Sequence, residues 1–108
     1  MAWFYLLLAG VFEIGWPVGL KMAQDDETRV LGITLAVGFM AVSGFLLWLA
    51  QKEIPIGTSY AIWTGIGAVG AASVGILVFG EPATALRIVC IVLIVAGIVG
   101  LKLFSGAH

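Results

Sequence analysis

The sequence is poor in everything that solvates a protein surface or carries reaction chemistry. Asp, Glu, Lys and Arg together make up 10% of its 108 residues, with one histidine and one cysteine. At a net charge of −1, it offers neither a polybasic surface for nucleic acid nor an acidic solvating tail. Cys90 cannot close an intramolecular disulfide and, inside an apolar run, reads as a small core hydrophobe. An enzyme is disfavoured by the same scarcity. No nucleophile and base pair, metal-ligand cluster or phosphate loop can be assembled from Cys90, His108 and one acid inside an apolar stretch. No metal or cofactor is expected, and His108 reads as a solvated terminal residue.

What the chain does have is apolar length. It is 62% hydrophobic with a mean hydropathy of +1.18, outside the range of soluble domains, and reads as an integral membrane protein. The first stretch lacks a basic start, carries Glu13 at its centre and runs into KMAQDDETR instead of a small-residue cleavage site. It is therefore expected to remain in the mature protein and not to be cleaved as a signal peptide.

Charges and turn residues cut the chain at residues 21–29, 51–55 and 80–87. The intervals predict one transmembrane domain over 1–108, with spans at about 2–20, 30–50, 56–79 and 84–104, each near the ~20 residues a crossing helix needs. Backbone groups in lipid must be satisfied within their own segment, and the runs lack the alternation of barrel strands, so the expected fold is an all-α, four-helix bundle. The last span crosses if Arg87 and Lys102 snorkel to opposite interfaces. Trp3, Phe4, Tyr5 and Trp48 read as interfacial anchors. Connections this short predict that consecutive helices are antiparallel neighbours.

Within the spans, Glu13 is the only deep acidic or basic side chain. A buried carboxylate is costly when charged, and such residues default to function. Glu13 reads as a group that either a proton or a cation occupies, which is what an antiporter needs. Helical spacing places Leu6, Ala9, Gly10, Glu13, Trp16, Pro17 and Leu20 along one face, with Trp16 as an aromatic wall for a cation. Pro17 lacks an N–H and leaves the carbonyl of Glu13 without its intrahelical partner, which predicts a kink. Ser43 is a polar group in the second span. Tyr60 and Trp63 share a face of the third, where Tyr60 can reach the level of Glu13. Gly65, Gly67 and Gly70 mean either a hinge or close packing, and Ala96, Gly97 and Gly100 read as a helix-association face. Four helices pack around side chains and leave little room for a ligand, so a homodimer with two Glu13 residues at a shared site is the expected minimal unit.

The lone Glu13 in FEIGWPVGLK, the run PIGTSYAIWTGIGAVGAA, the following FGEP and the closing GIVGLKL resemble the small multidrug resistance transporters over the whole chain. Trp16, Leu20, Lys21 and the stretch Gly65 to Ala72 resemble the guanidinium-exporter subtype. The resemblance implies an antiparallel homodimer in the cytoplasmic membrane that exchanges guanidinium for protons by alternating access. It also implies that Glu13 binds substrate and proton in turn, and that Trp16, Ser43, Tyr60 and Trp63 line the site. Gly65 and Gly67 match a flexible point of the third helix, and Gly97 a fourth-helix dimer contact. Pro17 and the acidic QDDET loop depart from the family pattern. Two other readings stand beside this one: an exporter of quaternary ammonium and other drug cations, and a small structural or regulatory membrane protein in which Glu13 only fixes packing.

The spans place Lys21, Arg29 and Arg87 on one side and Lys52 and Lys102 on the other. Orientation normally follows a clear lysine and arginine bias, and a near-balance predicts insertion in both directions. Reporters active on only one side of the membrane, fused to the C-terminus, are expected to give signals from both sides; a one-sided result excludes dual topology.

Overall fold

A computed structural model of the chain describes residues 1–104; His108 lies outside the described residues. They form four helices: α1 (Ala2–Met22), α2 (Arg29–Ala50), α3 (Ile56–Leu77) and α4 (Ala85–Leu103), with a 3₁₀ turn at Asp26–Thr28. No strand occurs among the described residues. The helices contain 19 to 22 residues, and at about 1.5 Å per residue they match a hydrocarbon core of roughly 30 Å. All four are long and apolar enough to cross a membrane. The protein is an all-α, multi-pass membrane protein.

Helix ends leave carbonyls without partners, and the loops supply them. At the end of α1, Thr28 Oγ1 donates to the Met22 carbonyl at 2.6 Å and Arg29 Nε to that of Ala23 at 3.2 Å. Beyond α3, Gly80 takes a φ of 69°, where a side chain is disfavoured, and this lets the Glu81 N–H return to the Gly75 carbonyl at 3.0 Å. The Thr84 hydroxyl caps α4 by accepting from the Arg87 N–H at 3.3 Å. α1 continues as helix through Pro17 to Met22.

Small residues decide which helices touch. A Cβ added to Gly19 of α1 would lie 2.7 Å from the Gly32 carbonyl oxygen and 2.8 Å from the Ala36 nitrogen, so α1 and α2 meet backbone to backbone. On the opposite flank of α1, Gly10 leaves room for Ile66 of α3. α1 therefore lies in the middle, antiparallel to α2 and parallel to α3. The expectation that all consecutive helices are neighbours is corrected at one pair: α2 and α3 share few close backbone approaches although only residues 51–55 join them. Each packs on α1 instead, because α1 presents small residues on two sides.

α4 packs chiefly on α3, where Ile98 fills the space over Gly65. None of its residues is buried. Cys90, expected in a core, is exposed on it, because apolar residues on a membrane helix can face lipid as readily as protein. The four helices together measure 48 × 34 × 16 Å. Basic residues at the helix ends rest on aromatic rings. Lys52 Nζ lies 4.4 Å from the Trp48 ring and Lys102 Nζ 4.3 Å from that of Trp3, which suits residues that carry charge to an interface.

Gly32→Val places its side chain against Gly19 and Ala23 backbone and is expected to cost about 1–3 kcal/mol of stability. Gly38→Val, which meets open space, is expected to stay within about 0.5 kcal/mol of the parent. Unfolding of both variants in mixed micelles, followed by helical circular dichroism, checks the contrast.

Candidate functional site

Glu13 lies midway along α1, partly buried, between α2 and α3. Gly67 of α3 forms its seat: a Cβ there would lie 2.6 Å from Glu13 Cγ. Ser43 of α2 is fully buried beside it. Serines and threonines in helices commonly donate back to their own i−4 carbonyl, as Thr34 and Thr64 do here. Ser43 instead donates across to α1, with its Oγ 2.7 Å from the Ala9 carbonyl oxygen and 3.5 Å from Glu13 Oε1. Trp63 of α3 donates its indole N–H to Ser43 Oγ at 2.8 Å.

This geometry gives the hydroxyl two fates. A serine has one proton to donate and lone pairs to accept with. The Trp63 N–H occupies an acceptor position and leaves the proton to choose between two acceptors. With the Ala9 carbonyl well inside hydrogen-bond range and Glu13 at its limit, the hydroxyl is better placed to donate to Ala9. Rotation about Cβ–Oγ redirects the O–H toward the carboxylate. Ser43 is thus a donor that Glu13 can recruit or release.

The other residues singled out from the sequence are placed less uniformly. Tyr60 packs its ring on Trp63 with centroids 5.3 Å apart and is 54% exposed; no hydrogen bond joins it to Glu13. Trp16 turns away from α3 into a groove against α2 that it shares with Ile33, Ala36, Val37 and Met40. Its buried Nε1 has no partner. Pro17 turns the opposite way, toward Val74 and Gly75 of α3. Gly65 is packed under Ile98, and Gly97 faces open space on α4. α3 is continuous through Gly65 and Gly67. The carbonyl of Ala9 is the one participant with no signal in the sequence, since every residue carries such a group.

No cation pairs with Glu13 among the described residues; the ion pairs found, Asp26 with Arg29 and Glu81 with Arg87, lie at the helix ends. No group of three metal-ligating side chains occurs among them either. A charged carboxylate at this depth is costly without compensation, and among the described residues no basic side chain supplies it.

The family model for the Small Multidrug Resistance protein matches residues 1–94. The chain belongs to the small multidrug resistance family. Among its relatives, the "Guanidinium exporter" of Salmonella typhimurium (strain LT2) is 50% identical over 103 residues, covering 95% of this chain and 97% of the relative. That of Yersinia pseudotuberculosis serotype I is 50% identical over 105 residues, covering 97% and 100%. That of Citrobacter freundii is 48% identical over 103 residues, covering 95% and 97%. As a small multidrug resistance protein, the chain is an exporter and not an enzyme, and in bacteria such proteins lie in the cell membrane.

Removing either partner of the Trp63–Ser43 bond is expected to cost about 1–3 kcal/mol, because a buried polar group is left unpaired. The double variant Ser43→Ala with Trp63→Phe is expected to lose less than the sum of the single variants. Unfolding free energies of the four proteins in detergent measure this coupling, and strict additivity would show that the bond contributes nothing.

Proposed function

We propose that this small multidrug resistance protein exports guanidinium in exchange for protons, by alternating access, as an antiparallel homodimer in which two Glu13 carboxylates share one site. The observation that carries this reading is that Glu13 of α1 sits between α2 and α3 with the Ser43 hydroxyl beside it and no ion-pair partner among the described residues. Relatives at about 50% identity that bear the name guanidinium exporter support the choice of ion.

Guanidinium is planar, charged at neutral pH and able to offer parallel N–H groups to a carboxylate. Two facing glutamates clamp it from both sides. While they hold the cation, Ser43 turns its proton toward Glu13 and shares the negative charge. When a proton arrives, the carboxylate no longer attracts the cation, and Ser43 returns to the Ala9 carbonyl. Trp63 keeps the serine oxygen in position through both states. Its ring and that of Tyr60 supply aromatic surface for a planar cation. Because proton and cation compete for one group, an inward proton gradient drives the cation out.

The dimer is supported by the helix packing itself. Four helices pack around side chains and leave little room for an aqueous pathway, and α4 has no buried residue and leaves Gly97 open to a partner helix. Chains inserted in opposite directions supply the inverted symmetry that larger transporters encode within one sequence. Gly65 and Gly67 then serve as the point where α3 bends as the site changes the side it faces.

In proteoliposomes with an imposed pH gradient, the parent protein is expected to move guanidinium against its own gradient and to release protons on binding it. Glu13→Gln is expected to abolish both. A variant that still couples the two movements would end this reading. A quaternary ammonium ion has no N–H to donate and is expected to compete poorly; if it is transported in preference, the protein is instead a broad exporter of drug cations.

A further inference from the structure

Beyond Glu13 along α1, toward the ends of α1 and α3 where Gly80 turns the chain, lies a cavity of about 240 Å³. Pro17, Val18, Ala71 and Val74 form its apolar wall, and Lys21 and Glu81 its charged rim, with Phe79 beside them. Lys21, in the last turn of α1, has its Nζ 5.8 Å from the Phe79 ring centroid and forms no ion pair among the described residues. Glu81 is seated against Gly75, where any side chain on the helix would displace its carboxylate. Arg87 fixes it there, with Nη2 3.2 Å from Glu81 Oε1 while Nη1 donates to the Pro82 carbonyl at 2.6 Å.

Arg87 occupies one oxygen of Glu81 and leaves Oε2 able to accept from another donor. An ammonium and a carboxylate thus border one cavity without pairing with each other. Both stand at helix ends, the depth at which lipid headgroups lie, while the apolar wall continues toward the hydrocarbon. Val18 is two residues from Trp16, about 200° around the helix, so this cavity is separate from the groove that holds Trp16.

We propose that the cavity binds a phosphatidylethanolamine molecule of the surrounding bilayer. The lipid phosphate pairs with Lys21, its primary ammonium donates to Glu81 Oε2, and the start of an acyl chain lies against Pro17, Val18 and Val74. The charges select this headgroup. Phosphatidylcholine carries no N–H for the carboxylate, and phosphatidylglycerol offers Glu81 only neutral hydroxyl donors, with no positive charge to offset that of the carboxylate. The proposal rests on membrane insertion alone and is independent of which ion is transported.

Native mass spectrometry of the purified full-length protein, titrated with phosphatidylethanolamine, phosphatidylcholine or phosphatidylglycerol of identical acyl chains, tests it. Phosphatidylethanolamine is expected to bind about tenfold more tightly than phosphatidylcholine, the scale of one charge-assisted hydrogen bond. Glu81→Gln is expected to bring the two lipids close to parity, and Lys21→Gln to weaken both. A series of mono-, di- and trimethylated ethanolamine lipids on the unaltered protein gives the same answer without any variant, with affinity falling as N–H groups are lost. Equal binding of the ethanolamine and choline lipids, a preference unchanged in Glu81→Gln, or tighter binding of phosphatidylglycerol would each overturn the proposal.

Discussion

The interior of a bilayer offers no water, so each polar group placed there must find its partner within the protein. This constraint organises the middle of the molecule. The Ser43 hydroxyl meets it by joining three helices at once, accepting from Trp63 on α3 and donating to the Ala9 carbonyl on α1. Glu13 meets it only in part, since its nearest donor is already engaged and no cation stands beside it. A charged group left incompletely satisfied in low dielectric is costly. The proposed exchange is that cost put to use.

Close approach of the helices makes the arrangement possible. Trp63 reaches Ser43 although α2 and α3 diverge, because a large side chain spans a gap that their backbones leave open. Gly67 has the complementary role, since its missing side chain is what allows the methylene groups of Glu13 to settle toward α3. Large and small residues therefore act as a pair at this level of the membrane, one bridging and one yielding.

The number and class of the helices were legible in the sequence, because lipid leaves few ways to satisfy a backbone and the charges fall at the breaks. The depth of Glu13 was legible for the same reason. Which helices touch was not. A short loop states that two ends are close but says nothing of the paths of the helices beyond, and here both flanks of α1 compete successfully for α2 and α3. The direction of Trp16 was equally hidden. It lies about 60° around the helix from the Glu13 line, and with a neighbour on each side that offset sends it to α2. Cys90 illustrates a general loss of information. In water, an apolar residue on a helix signals an interior, whereas in lipid the exterior is apolar as well.

The central position of α1 also divides the chain into two helical hairpins. α1 and α2 close as one hairpin on their own backbone contacts at Gly19 and Gly32. The second hairpin, α3 with α4, lies on the other flank of α1 and not chiefly on the helix that precedes it. Residues 51–55 act as a tether whose length sets local concentration, while the joint between the two halves lies along α1 and α3. The chain is therefore two helical hairpins joined edge to edge.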